Sequence, residues 1–148
     1  MSQVYLALGS NLGNKNENLE RAISLLSEKV GEIISVSSFY RSEPCGFDSE
    51  NDFLNAVVLV KTVLDVNSLL VQTQEIEKEM GRKAKSVESY ADRIIDIDIL
   101  FYNDLVLKTA ELKIPHPLLQ ERDFVLIPLL EIASDFVHPV FQKSIKEL

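Results

Sequence analysis

The ten residues RIIDIDILFY, from Arg93 to Tyr102, constrain the fold more tightly than any other part of the chain. β-Branched and aromatic side chains dominate them, a composition suited to a pleated, half-buried strand. Successive side chains of a strand alternate between faces. Ile95, Ile97, Ile99 and Phe101 are therefore expected on one side, with Asp96 and Asp98 on the other. The isoleucine side demands a core. The aspartate side sets two carboxylates next to each other, and two unit charges about 4 Å apart repel by roughly 1 kcal/mol in water and about 4 kcal/mol at an effective dielectric of 20. Two arrangements satisfy such a pair. One is a hard divalent cation such as magnesium, commonly held by one or two carboxylates plus substrate phosphates; the other is a solvated face on which the aspartates meet nearby arginines.

Such a strand needs partners, and the remaining patterns supply them. Val4 to Leu8 is a short apolar run broken by Gly9, and GSNLGNKNEN then provides turn and cap residues before a helix. Leu19, Ala22, Ile23, Leu26 and Val30 fall on one helical face, with Gly31 placed as a C-terminal stop. A strand is expected from Glu32 to about Arg41, a polar loop from Ser42 to Asp52, and a second long strand from Phe53. Leu69, Thr73, Ile76 and Met80 mark a helix that opens near Asp65 and stops at Gly81. RKAKSVESYAD, residues 82–92, has neither period and is expected as a second mobile loop. After RIIDIDILFY come a turn at Asn103-Asp104, a short strand, and IPHP, where Pro115 and Pro117 bracket His116. Leu118 to Ala133 reads as helix in pieces, interrupted at Pro128. The order βαββαββα mixes hairpins with helical crossovers, which predicts an α+β fold: a mainly antiparallel, ferredoxin-like sheet with helices packed on its faces.

With 148 residues and 46% hydrophobic content the chain matches one globular domain, residues 1–148, with a core of its own. A formal net charge of −8 argues against non-specific attraction to nucleic acid or to an anionic membrane surface. The single cysteine, Cys45, has no internal disulfide partner, and no apolar run approaches the roughly 20 residues of a membrane span. A soluble, cytoplasmic protein is expected.

Any anionic ligand must then be met by local cations. Arg82, Lys83, Lys85 and Arg93 against Glu88 and Asp92 make residues 82–93 locally positive, and His116 and Arg122 add two anion ligands downstream. Arginine grips phosphate oxygens with a bidentate fork, whereas Lys83 and Lys85 equally suit a solvated loop. GSNLGN lacks the spacing and the lysine of a phosphate-binding P-loop, so it is a turn and helix cap. Nothing local activates Cys45 as a nucleophile, and His138 has no assigned role. Phe53 and Asn55 share a strand face, an aromatic plate beside an amide, which suits a flat heteroaromatic ligand or plain core packing.

The ordered set LALGSNLG, SSFYRSEP, DFLNAVV, QEIEKEMGR, RIIDIDILFY, IPHPLLQERDFVLIPL and EIA resembles the 6-hydroxymethyl-7,8-dihydropterin pyrophosphokinase family along nearly the whole chain. The resemblance implies a ferredoxin-like enzyme that transfers the terminal pyrophosphoryl group of ATP to the pterin hydroxymethyl group and releases AMP, in folate biosynthesis. It implies two magnesium ions on Asp96 and Asp98, and phosphate contacts from Arg82, Arg93, His116 and Arg122. Gln74 and Glu77 match helix positions lining the nucleotide site. Ser42, Cys45, Phe53, Asn55 and Phe124 match the pterin pocket, Ser42 and Cys45 through backbone groups. Arg82, Arg93, Asp96 and Asp98 carry the catalytic role in this reading, and the partners are the two small substrates of a monomer.

Three departures stand out. The family's usual Trp-Gly-Pro-Arg approach to the aspartate strand is here Tyr90, Ala91, Asp92, Arg93; Ala84 stands where a basic residue is common; and Phe53 replaces a frequent tyrosine. Two other classes use the same features: a magnesium-dependent phosphohydrolase with water as the nucleophile, and a non-catalytic ferredoxin-like binding module.

Overall fold

The computed structural model describes residues 1–43, 51–81 and 94–148. Its centre is β1, Ser2–Ser10, which is hydrogen-bonded on both sides and carries Val4, Leu6 and Leu8 on one face and Tyr5 and Ala7 on the other. The first helix α1, Lys15–Lys29, follows a turn in which Gly13 takes a positive φ of 67° and Asn14 caps the helix by accepting from Glu17 N at 3.1 Å. GSNLGN is thus a turn and cap. Strand β2, Gly31–Val36, and the short β3, Tyr40–Ser42, both pair with β4, Phe53–Thr62. Helix α2, Val66–Glu79, opens on Asp65, whose side chain accepts from Ser68 N at 2.7 Å, and ends before Gly81 at φ 101°. Strand β5, Asp96–Tyr102, then pairs with the free side of β1.

The resulting sheet runs β2-β4-β1-β5, every neighbour antiparallel, the ferredoxin-like order. Helices α1 and α2 cover one face through Leu19, Ala22, Leu26, Leu69 and Ile76, packed on Val4, Leu6, Leu8, Val58, Val60, Ile97 and Ile99. The other face is covered by α3, Asp123–Ala133, through Val125, Leu129 and Ala133, packed on Tyr5, Val57, Leu59 and Phe101. Burying each such leucine, isoleucine or valine contributes about 1.5–3 kcal/mol, so the sheet is held from both sides. A two-stranded ribbon, β6 (Leu107–Lys108) with β7 (Lys113–Ile114), lies beyond β5. Among the described residues no helix is long and apolar enough to cross a membrane.

The structure corrects three sequence expectations and adds a reason for a glycine. Phe101 does not share the face of Ile95, Ile97 and Ile99: the β1–β5 register passes from Tyr5↔Phe101 to Leu6↔Ile99, so Leu100 is an extra residue and Phe101 lands with Tyr5. The helix α1 stops at Lys29 with Val30 as its C-cap, directly before Gly31 as expected, and Gly31 is also the first residue of β2; a β-carbon there would lie 2.0 Å from the Lys61 carbonyl oxygen, so close strand approach demands the glycine. The strand expected from 32 to 41 is two strands, because Ser37 turns aside to bond Val57 with both its backbone N–H and its hydroxyl, each at 2.9 Å. Pro128 does not interrupt α3, which runs unbroken through it; burial of Pro128 between Val125 and Leu129 outweighs one missing helical hydrogen bond.

Candidate active site

Directly opposed residues of antiparallel strands share a face. Asp96 opposes Gly9, which opposes Asn55, which opposes Tyr40; Asp98 opposes Ala7 and then Val57. Both carboxylates therefore lie on the α3 side of the sheet, half-buried, and the row that starts at Asp96 crosses three strands to the amide of Asn55. Phe53 and Ser42 oppose each other one step further along β4 and β3 on the same side. The expected pairing of an aromatic with an amide, and of two aspartates on one face, is what the strands build.

Asn55 is buried and its orientation is set by its neighbours. Its Nδ2 donates to the Tyr40 carbonyl at 3.1 Å and to Ser42 Oγ at 2.8 Å. The Tyr40 carbonyl only accepts, so the NH2 end must face β3 and Oδ1 faces the Gly9 side. Asn55 presents an acceptor there. Ser42 meets Asn55 through its hydroxyl. Gly9 is a residue that sequence reading passed over as a strand break. It lies inside β1, and a β-carbon on it would stand 3.4 Å from Asn55 Oδ1 and 3.5 Å from the Phe53 ring. Its lack of a side chain leaves a flat floor between the amide and Asp96, a signal visible only once the row is known.

Helix α3 brings Arg122 and Phe124 to this side. Arg122 is the N-cap residue of α3, and its guanidinium carbon sits 5.6 Å from the centroid of the Phe124 ring, within cation–π range. The pair places a cation beside an aromatic plate, so the phosphate-binding and ring-binding expectations meet at one helix end.

On the outer edge of β5 lies a cavity of about 260 Å³ lined by Leu70, Gln74, Ile97, Asp98, Ile99, Leu112 and His116, among others. It joins α2, β5 and the β6–β7 ribbon. The His116 backbone N–H donates to the Leu100 carbonyl at 3.1 Å, and its ring Nδ1 accepts from Leu118 N at 3.3 Å, which leaves Nε2 to carry the proton of the neutral ring. Glu77 is only 3% exposed and accepts from Ile97 N at 2.9 Å, so it supports the strand between the two aspartates instead of lying open to the cavity. Among the described residues, no three His, Cys, Asp or Glu side chains converge as a metal-ligand set. Arg82, Arg93 and Cys45, with Tyr90, Ala91 and Asp92, lie outside the described residues. His138 is buried, edge-on to Phe101 at 5.5 Å and stacked on Phe141 with ring centroids 4.4 Å apart.

A sheet face that sets two carboxylates beside an aromatic–amide floor, next to a cavity, is the arrangement of a small-molecule site on an α+β fold. The chain belongs to the 7,8-dihydro-6-hydroxymethylpterin-pyrophosphokinase (HPPK) family, whose model matches residues 5–134. It is 44% identical over 147 residues to the 2-amino-4-hydroxy-6-hydroxymethyldihydropteridine pyrophosphokinase of Aquifex aeolicus, covering 99% of this chain and 90% of that one. The enzyme of the same name from Porphyromonas gingivalis is 45% identical over 141 residues, covering 94% of this chain and 95% of its own. The Folic acid synthesis protein FOL1 of Dictyostelium discoideum is 46% identical over 138 residues but is matched over only 20% of its length. Among solved structures, a Plasmodium falciparum HPPK-DHPS superposes with a TM-score of 0.80 at 22% identity, over 98% of this chain and 44% of that one. That likeness bears on the fold alone.

Proposed function

We propose that the chain transfers the pyrophosphoryl group of ATP to the hydroxymethyl oxygen of 6-hydroxymethyl-7,8-dihydropterin, releasing AMP, as a step of folate biosynthesis. The observation that carries this reading is the cross-strand row Asp96–Gly9–Asn55, which joins a carboxylate pair to a floor for a flat heterocycle. Phe53 and Phe124 supply ring faces to the pterin, Asn55 Oδ1 accepts from an N–H on its edge, and Ser42 borders the pocket, with Cys45 given a place there by the family resemblance alone. Gln74 and His116 line the cavity for the nucleotide, with Glu77 behind the strand. Arg122 contacts phosphate oxygens; Arg82 and Arg93 are given the same role by the family resemblance alone.

The hydroxymethyl oxygen attacks the β-phosphorus in line, the bond from that phosphorus to the α–β bridging oxygen breaks, and the hydroxyl proton passes to solvent. Positioning and charge neutralisation dominate such a transfer. Asp96 and Asp98, oxygen donors on one half-buried face, would hold two magnesium ions. When bound, these ions neutralise the charge on the transferring group. The chain acts as a monomeric single domain, residues 1–148, in the cytoplasm, and its net charge of −8 disfavours nucleic-acid and membrane partners.

The decisive experiment follows AMP formation from ATP with and without hydroxymethyldihydropterin. AMP and pterin diphosphate formed only when both substrates are present are expected. Phosphate release from ATP alone would identify a phosphohydrolase instead, and ligand binding without turnover would identify a binding module.

A further inference from the structure

Glu131 stands on α3 seven residues after Phe124, two helical turns along and on the same side. It is solvent-exposed, yet it gathers donors from one short stretch of chain. Ser38 N donates to both carboxylate oxygens at 3.0 Å, Ser38 Oγ donates at 3.1 Å, and the Tyr40 hydroxyl donates at 2.5 Å. Tyr40 in turn lends its carbonyl to Asn55 Nδ2, and Ser42, two residues on, lends its hydroxyl. One path therefore runs from the helix that bears Phe124, through Glu131 and Tyr40, to the amide of Asn55.

We propose that Glu131 is a positioning residue for the pterin half of the site: it locks the β2–β3 junction to α3, so that Asn55 and Phe124 are held in one fixed relation. The inference rests on the assignment of those two residues to the pterin. Three features favour it over a plain surface staple. Helix α3 already buries Val125, Leu129 and Ala133, so its packing does not depend on this carboxylate. Of the junction residues Ser37, Ser38 and Phe39, which belong to neither strand, Ser37 is tied to Val57 of β4 and Ser38 to Glu131 of α3. One of the donors, finally, belongs to Tyr40, the residue whose carbonyl accepts from Asn55 Nδ2. The hydrogen bond from Tyr40 and the bond from Ser38 N hold the Glu131 carboxyl below its ordinary range, and the same carboxylate raises the Tyr40 phenol, so the tether is ionised at neutral pH.

The test is steady-state kinetics on the full chain, varying pterin at saturating ATP and the reverse, for wild type, Glu131→Ala, Glu131→Gln, Tyr40→Phe and the double variant Glu131→Ala/Tyr40→Phe, with a thermal melt of each. Glu131→Ala is expected to raise KM for the pterin about tenfold, the scale of a lost charge-assisted hydrogen bond, and to leave KM for ATP within about twofold. Glu131→Gln, which keeps an acceptor for Ser38 N, should recover part of the loss. The double variant should be little worse than Glu131→Ala alone, because Glu131 is the main partner of the Tyr40 hydroxyl. Equal rises in both KM values, an unchanged pterin KM, or additive losses would overturn the proposal. Should Glu131→Ala fail to fold, Glu131→Gln and Tyr40→Phe carry the same comparison. Absence of AMP formation by the wild type would instead defeat the functional reading itself.

Discussion

The carboxylate of Glu77 accepts a hydrogen bond from the backbone N–H of Ile97 at 2.9 Å, tying α2 to the residue between Asp96 and Asp98. β5 is an edge strand beside β1, so this N–H faces away from the sheet and needs an acceptor from elsewhere. Glu77→Ala removes it and leaves a buried donor, which is expected to lower stability by about 1–3 kcal/mol. Glu77→Gln keeps a carbonyl oxygen in place and should lose less. Urea unfolding midpoints of the two variants check the order, and a Gln variant as unstable as the Ala variant would show that charge, not acceptance, is what the strand requires.

Asp96→Ala and Asp98→Ala should each reduce kcat by at least a hundredfold while changing pterin affinity only slightly, because the carboxylates serve the phosphates. Phe124→Ala should do the reverse and weaken pterin binding first. Equilibrium binding of the pterin, measured beside turnover, separates the two kinds of loss; parallel losses in the aspartate variants would remove the division of roles.

Gly9→Ala offers a test of the floor. The strand backbone accepts alanine, and the added methyl would stand 3.4 Å from Asn55 Oδ1, tight but within what a small shift relieves. The melting temperature is expected to stay within a few degrees while pterin affinity falls about tenfold, the effect of one methyl group intruding on a closely fitted ring. Unchanged affinity would take Gly9 out of the pocket.

Gly31→Ala should act on the fold instead. Its β-carbon would lie 2.0 Å from the Lys61 carbonyl oxygen, which is backbone and cannot swing aside. Separating β2 from β4 at this point is expected to cost about 1–3 kcal/mol or more, read from denaturant unfolding, with KM values for the protein that remains folded nearly unchanged.

His138 gives a pH prediction. Its ring Nδ1 accepts from Val140 N and Phe141 N, both at 3.1 Å, and burial holds its pKa below the ordinary value of 6.5. The unfolded chain therefore binds the proton more readily than the folded one. The stabilisation from the neutral ring is complete above the unfolded pKa and is lost as pH falls from about 6.5 toward the depressed folded value. Melting temperatures between pH 7.5 and 5 should decline in the wild type, and His138→Gln should start lower and decline less over that window.

The pattern of apolar residues carried most of the architecture. The period of Leu19, Ala22, Leu26 and of Leu69, Thr73, Ile76 places the two helices over one sheet face, and the caps at Asn14 and Asp65 stand where the local chemistry calls for them. Failures occurred where two distant segments meet. Phe101 changed faces because β1 and β5 settle on a register that extrudes Leu100, and the strand expected over 32–41 divides because Ser37 bonds Val57 of β4. Pro128 looked like a break because local propensity weighs one lost hydrogen bond without the core that α3 buries.

By itself the sequence determined the residue types and their local periods: two aspartates one strand-step apart, an aromatic and an amide one strand-step apart, and a family pattern that ties both to pyrophosphoryl transfer. These follow from bond geometry within a few residues, where spacing alone says which side chains share a face. Only the tertiary structure decided that Gly9 lies between Asp96 and Asn55, that Asn55 turns its oxygen and not its nitrogen toward that floor, and that Glu131 links the amide to the helix of Phe124. Each of these depends on strand register and on hydrogen bonds between residues far apart in the chain, which are set by the packing of the whole sheet against its helices and not by any local preference.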